Sequence, residues 1–367
     1  LRQEEILKKK RRILTKIPQY TRNSRHLQAV WKHGNPTKLF NLLKVERDRK
    51  FRRVKVSGRP YLLIVDPCNY CNLRCPLCPT GSQALNRKQR MLSFDEFKKI
   101  FDYFSRYLFE VSLHNWGEPL LNPDIYRMIE YAQRRNVGTN LSTNLVLMKP
   151  SDIGKILASG LEYLIVCLDA TTPDVDDRYR VRGDFHRVMK NMQLLIQKRN
   201  ENRRKTPLVE WQFIVMSINQ HQMEEAEFLS RKIGVDTMRF IPVGFAHDAS
   251  DKKKLAEQWL PKVLQDRTRT MDGDEVEFDR KARPGPCFYL YRSVVVNPDG
   301  GLSPCCFVYD QKYDFGRIWD HPIDEIWNNA HYVSARSLFS GKQVKNAEAV
   351  PSCVKCDFFR RRPVRKP

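Results

Sequence analysis

Short apolar runs alternate with stretches of helical periodicity from residue 61 to residue 242. Tyr61–Asp66, Val111–Asn115, Gly138–Ser142, Tyr163–Leu168, Val209–Met216 and Thr237–Pro242 read as strands. Between them, Ser93–Tyr107, Asp124–Arg135, Ser151–Ala158, Phe185–Arg199 and Met223–Lys232 read as helices. Ser93 with Glu96 three positions on is a capping box that marks one helix start. Strands and helices in strict alternation predict a parallel sheet with helices outside, an α/β fold. Polar and glycine positions gather just after the strands, where such folds keep their sites.

The pattern changes near residue 245. Asp248–Lys254 and Asp272–Arg283 are charge-rich, and a bridging helix over Lys253–Gln265 leads into a linker. Ser293–Asn297, the turn Pro298-Asp299-Gly300-Gly301 and Leu302–Cys305 predict a hairpin. Ile323–Leu338 predicts one amphipathic helix with Ile323, Ile326 and Trp327 on one face. The chain thus divides into a basic extension (1–59), an α/β core (60–244), a bridge and linker (245–284), a small C-terminal domain (285–358) and a basic tail (359–367).

Hydrophobic residues at 41% allow a sizeable core in 367 residues. The longest apolar run is about six residues, against roughly 20 for a membrane-spanning helix. No apolar signal-peptide core follows the basic start, so a cytoplasmic location, free or peripheral to the membrane, is the expectation. The net charge of +23 is uneven: 19 basic and 4 acidic side chains fall in residues 1–60, and 5 basic ones in 359–367. Cationic ends suit an anionic partner: nucleic acid, an anionic substrate, an acidic lipid surface or an acidic redox protein. A solubilising role alone is the competing explanation.

Ten cysteines stand at 68, 71, 75, 78, 167, 287, 305, 306, 353 and 356. Clustered thiols in a cytosolic chain point to zinc or iron–sulfur rather than disulfides. A zinc knuckle would take Cys68, Cys71, Cys75 and Cys78, with ligand pairs closer together than is usual. The alternative takes Cys71, Cys75 and Cys78 and leaves the fourth iron of a cubane open, as catalysis requires. Cys287, Cys305, Cys353 and Cys356 make a closed set of four, for which zinc is also open.

Cys71-Asn-Leu-Arg-Cys75-Pro-Leu-Cys78 resembles the cluster loop of radical S-adenosylmethionine (radical SAM) enzymes. Leu77 stands where an aromatic residue is common, and Cys68 falls outside the pattern. The resemblance implies a partial (β/α)6 TIM-like barrel, with S-adenosylmethionine chelated at the open iron. Trp116-Gly117-Glu118-Pro119 resembles the Gly-Gly-Glu-Pro element that holds the methionine amino group, with Trp116 in place of the first glycine. Ser142-Thr143-Asn144 resembles the segment near the ribose. Cys167-Leu168-Asp169 resembles a Ser-Leu-Asp-Gly segment, and Arg180 stands where an arginine pairs with the methionine carboxylate. The C-terminal cysteines resemble the SPASM/Twitch extension, which implies one auxiliary [4Fe-4S] cluster on Cys287, Cys305, Cys353 and Cys356. Cys306 is an alternative to Cys305.

The resemblance implies an oxidoreductase with two [4Fe-4S] clusters. An acidic donor such as flavodoxin or ferredoxin supplies an electron, S-adenosylmethionine is cleaved, and a hydrogen atom leaves an unactivated carbon. The auxiliary cluster then accepts an electron. The catalytic base is not selected; Asp169, Arg239 and His247 lie at or near strand ends. The substrate expected first is a sugar, cyclitol or lipid-linked glycan alcohol undergoing dehydrogenation. Ribosomal peptide modification and lipid C–H modification are alternatives. The basic segment Phe40–Val56, rich in Phe and Leu, suggests peripheral contact with an anionic membrane. A zinc-binding nucleic-acid protein is the reading from another class.

Overall fold

The computed structural model describes residues 22–245, 252–261, 268–270, 276–278, 286–342 and 349–356. The basic residues 1–21, His247, most of the charged stretches at 248–254 and 272–283, and the tail 359–367 lie outside the described residues.

Two helices, α1 (Arg22–His33) and α2 (Pro36–Lys50), precede a sheet. Its strands β1 (Leu62–Val65), β2 (Glu110–Ser112), β3 (Gly138–Thr143), β4 (Tyr163–Cys167), β5 (Leu208–Val215) and β6 (Thr237–Pro242) pair in parallel, each with the next. The connecting helices are α3 (Phe94–Phe104), α4 (Ile125–Gln133), α5 (Pro150–Ser159), α6 (Phe185–Glu201) and α7 (Met223–Ile233). The partial barrel is therefore present, and periodicity explains it. In α3, Phe97, Ile100, Phe101 and Phe104 form one buried stripe, and the Ser93–Glu96 capping box closes the N-terminus. A bridging helix α8 (Lys252–Trp259) and a two-stranded hairpin, β7 (Thr268–Thr270) with β8 (Val276–Phe278), follow.

The sheet extends further than its six βα units. Strand β9 (Ser293–Val296) lies parallel to β1, and β10 (Leu302–Ser303) lies antiparallel to β9. The order is β10-β9-β1-β2-β3-β4-β5-β6. Every residue of β1 is buried because it has a neighbour on each side. The expected hairpin forms, but its return strand ends at Ser303 and Cys305 lies in the turn beyond.

The single helix expected over Ile323–Leu338 is instead two, Ile323–Ile326 and α9 (Ala330–Ser340). Two asparagines break it. Asn328 exchanges hydrogen bonds with the backbone of Val56 (2.9 and 3.0 Å), and Asn329 caps α9 by accepting from the Tyr332 N–H (3.1 Å). Side-chain bonds of this kind compete with the helix ladder, a signal the apolar stripe conceals.

The N-terminal helices are built into the body. Arg25 of α1 donates to Glu110 at the start of β2 (3.0 and 3.3 Å). His33 bonds to Asn136 (2.9 Å) and Glu162 (2.9 Å), just before β3 and β4. Helix α1 therefore closes the N-terminal end of the barrel, opposite the cysteine loop.

Candidate active site

Side chains two apart on a strand face the same side of a sheet. Here one side is the barrel interior. Ile64 of β1, Ser112 of β2, Ser142 of β3, Tyr163, Ile165 and Cys167 of β4, Glu210, Gln212 and Ile214 of β5, and Arg239 and Ile241 of β6 line one cavity of about 450 Å³. Cys71, Cys75, Cys78, His114, Trp116–Glu118, Asn144, Tyr179 and Arg180 complete it at the strand C-terminal ends. Arg25 and Cys306 also reach its wall.

The three loop thiols converge on this cavity, each within electrostatic reach of another. The Leu73 N–H donates to Cys71 Sγ (3.4 Å), and the Asn144 amide lies 3.7 Å from the same sulfur. Burial pushes the Cys71 thiol up to about 12. It pushes Cys75 up to about 11, with the Arg180 guanidinium working against it. Cys68 is different: it lies within electrostatic reach of Cys71 but is fully buried, donates to the Glu118 carbonyl (3.2 Å) and does not line the cavity. The cavity is therefore faced by three thiols of the loop rather than four. Among the described residues, no three His, Cys, Asp or Glu side chains converge closely enough to hold a single ion. Three thiols at the mouth of a cavity fit a larger cluster with an open corner.

The turn Trp116–Gly117 is held by Asp66, whose carboxylate accepts from both N–H groups (3.1 and 3.2 Å). Burial pushes the Asp66 carboxyl up to about 7 against those two donors. Gly117 is required by close approach, since a Cβ there would stand 1.9 Å from the Cys68 carbonyl oxygen. The Glu118 carboxylate accepts from Thr143 Oγ1 (2.6 Å), Asn144 N (2.9 Å) and Leu120 N (3.0 Å). It therefore ties the end of β2 to the end of β3. Pro119 starts the short turn that follows. Ser142 Oγ lies 3.1 Å from Cys167 Sγ. Asp169 and Arg180 form a buried pair (2.6 and 2.7 Å), and Asp169 also accepts from Ile214 N (2.7 Å). Thiols, backbone polar groups and one buried cation around an open cavity are the donor set that a sulfonium nucleotide on an iron cluster needs.

The C-terminal unit brings its own thiols together. Burial raises Cys305 strongly, and its neighbours are the thiols of Cys306, Cys287 and Cys353; Cys353 in turn neighbours Cys287 and Cys356. Cys306 faces the barrel cavity instead, and donates to Tyr289 Oη (3.1 Å). Cys305 thus has two of the other three thiols, Cys287 and Cys353, as neighbours, with Cys306 beside it as well. Trp116 joins the two units: its indole lies edge-on to Tyr309 (5.6 Å) and donates to the Val308 carbonyl (3.4 Å). Arg87, in the segment after the cysteine loop, is buried between Asp299 (2.6 Å) and Asp314 (2.8 Å).

Neither described base candidate is poised to take a proton. Arg239 donates to Glu210 (2.6 Å) and Gln212 (2.5 Å), and Asp169 is occupied by Arg180. His114, which the sequence reading passed over, accepts from the Ser142 N–H through Nδ1 (3.1 Å). A neutral ring then carries its proton on Nε2. Gln212, Glu210 and Tyr163 were also missed; the alternation of their strands was the available signal.

Comparisons with known proteins agree with this geometry. Residues 65–209 match the Radical SAM superfamily, and residues 287–357 match the SPASM iron–sulfur cluster-binding domain. The mycofactocin maturase of Mycolicibacterium smegmatis is 24% identical over 79% of this chain and 73% of its own. The PqqA peptide cyclase of Ruegeria pomeroyi is 25% identical over 73% of this chain and 74% of its own. The structure of Streptococcus suis SuiB bound to precursor peptide SuiA superposes with a TM-score of 0.59 at 15% identity, covering 88% of this chain and 74% of that one. The chain belongs to the radical SAM enzymes, with a domain that binds S-adenosylmethionine and a [4Fe-4S] cluster and a C-terminal SPASM domain that binds further iron–sulfur.

Proposed function

We propose that the protein modifies a peptide by radical SAM chemistry. The observation that carries this reading is that a maturase and a peptide cyclase align through about three quarters of both chains. Peptide modification therefore displaces the sugar, cyclitol or lipid-linked glycan alcohol expected from the sequence, which is less well supported. S-adenosylmethionine bound at the cluster supplies hydrogen-atom abstraction from an unactivated carbon.

The chain's own residues do the rest. Cys71, Cys75 and Cys78 would hold the first cluster at the cavity mouth. The Trp116–Gly117 turn, buttressed by Asp66, would offer backbone to the methionine amino group, and Ser142 and Asn144 would serve the ribose. Arg180, bound to Asp169, places a positive charge beside Cys75, which suits a carboxylate or the anionic cluster. Cys287, Cys305, Cys353 and Cys356 would hold one auxiliary cluster, and Trp116 and Cys306 line the barrel cavity. The floor pairs Arg25 with Glu110 and Arg239 with Glu210. It is polar yet balanced in charge, which suits an uncharged polar or backbone group of a peptide.

The test is a substrate screen with anaerobically reconstituted protein, S-adenosylmethionine and reductant. One arm holds short synthetic peptides, and the other cyclitols and sugars. A peptide that stimulates 5′-deoxyadenosine release and itself loses mass supports the reading. Stimulation and product confined to the cyclitol and sugar arm would sink it.

A further inference from the structure

Helix α2 is built inside out. A helix on a globular surface normally turns its apolar stripe inward. Here three of the four buried positions are polar, Lys38, Asn41 and Asp48 beside Val45, with Leu42 partly buried, while Leu43 is 68%, Phe40 61% and Leu39 43% exposed. On α1, Trp31 is 92% and Leu27 68% exposed, and Phe51 after α2 is 61% exposed.

The inversion is fixed by polar bonds. Lys38 Nζ donates to the Asn136 carbonyl (2.6 Å). Asn41 exchanges two bonds with the Arg59 backbone (2.9 and 2.8 Å). Asp48 accepts from Ser57 N (2.6 Å), Ser57 Oγ (2.9 Å) and Gly58 N (3.2 Å). A buried polar group without such partners is costly, so these bonds commit α2 to presenting Phe and Leu outward.

We propose that the outward face of α1 and α2 docks on an anionic membrane. Charge selects this occupant. Residues 25–56 hold ten Lys and Arg against two acids, Glu46 and Asp48. Both acids are engaged internally, Glu46 by Arg292 (2.5 Å) and Asp48 as above. Arg25 and Lys38 face inward; Lys32, Arg47, Lys50, Arg53 and Lys55 are exposed among the apolar side chains, with Lys32 also paired to Glu162 (2.5 Å) and Arg47 and Arg53 to Asp48 (3.6 and 3.5 Å). Trp, Phe and Leu interleaved with Lys and Arg are what an interfacial helix uses; protein interfaces, by contrast, are poor in Lys. Docking there holds the closed end of the barrel to the lipid and leaves the cysteine-loop end facing away.

The test is vesicle co-sedimentation of the full-length reconstituted protein. The vesicles are phosphatidylcholine alone or mixed with phosphatidylglycerol. The wild type is expected to pellet with the mixed vesicles only. Trp31→Ser/Phe40→Ser/Leu43→Ser should lower partitioning about tenfold or more, and Lys50→Gln/Lys55→Gln about tenfold. Both variants should keep the wild-type circular dichroism and rate of 5′-deoxyadenosine formation. Absence of wild-type binding, or equal binding by the triple variant, overturns the proposal. A dimer in sedimentation velocity that the triple variant abolishes overturns it in favour of a second copy. Binding that appears only after residues 1–21 are removed overturns it in favour of an internal cover. None of these outcomes bears on the peptide reading, which is read out by peptide mass.

Discussion

Trp116 shows how a departure from a family pattern acquires meaning. It replaces a glycine in the Gly-Gly-Glu-Pro element, and the sequence offers no reason for that. The reason is its contact with Val308 and Tyr309 of the C-terminal unit. Gly117 beside it was legible as a motif, but its necessity is steric, because the Cys68 carbonyl occupies the space a side chain would need. Gly117→Ala should lower stability by about 2 kcal/mol or more, read as a thermal midpoint, and weaken nucleotide binding in equilibrium dialysis. Cys305 and Cys306 are indistinguishable by spacing; of the two, Cys306 lines the barrel cavity, which favours Cys305 as the ligand. Cys305→Ser should drop iron content from about eight to about four per chain, whereas Cys306→Ser should leave it unchanged. Equal iron in both variants would remove the assignment.

Among elements, the strands and helices of the barrel were readable because each buries one face and carries a matching period. The N-terminal helices were not, because their inward contacts are polar and long-range. Glu110 illustrates the consequence. Burial alone would raise its carboxyl, but Arg25 and His26 outweigh that and hold it at about 2. Its folded value lies below its unfolded one of 4.5, so its contribution is present above 4.5 and is lost as pH falls toward 2. Arg25→Gln removes the cation from the buried carboxylate and leaves it with Asn140 (2.6 Å) and His26 (3.4 Å). It should cost about 3 kcal/mol at neutral pH in denaturant titration, with the deficit shrinking toward acid as Glu110 takes up a proton. Arg87 acts between elements in the same manner. Arg87→Met leaves the largely buried Asp314 and the part-buried Asp299 without their cation and should destabilise the protein by about 3 kcal/mol. Selective loosening of the 299–314 region in hydrogen exchange would locate the effect.

For the whole molecule, the alternation of strands and helices was enough to predict a parallel α/β sheet, while the partial barrel and the two clusters came from the resemblance of the motifs to a known family, since cysteine spacing alone left zinc open. What spacing could not convey is that the C-terminal unit is stitched into the barrel sheet. No apolar run announces that β9 will lie against β1 rather than in a separate sheet, because both are short and fully buried. This seam makes the two redox units a single mechanical body. It also orders the protein's birth. One flank of β1 stays bare until a strand about 230 residues downstream, paired Leu62 to Ser293, leaves the ribosome. Chains halted before residue 293 would therefore display an apolar ribbon beside a loop of reactive thiols. Such fragments should clump in sedimentation runs and be prime targets for cellular proteases.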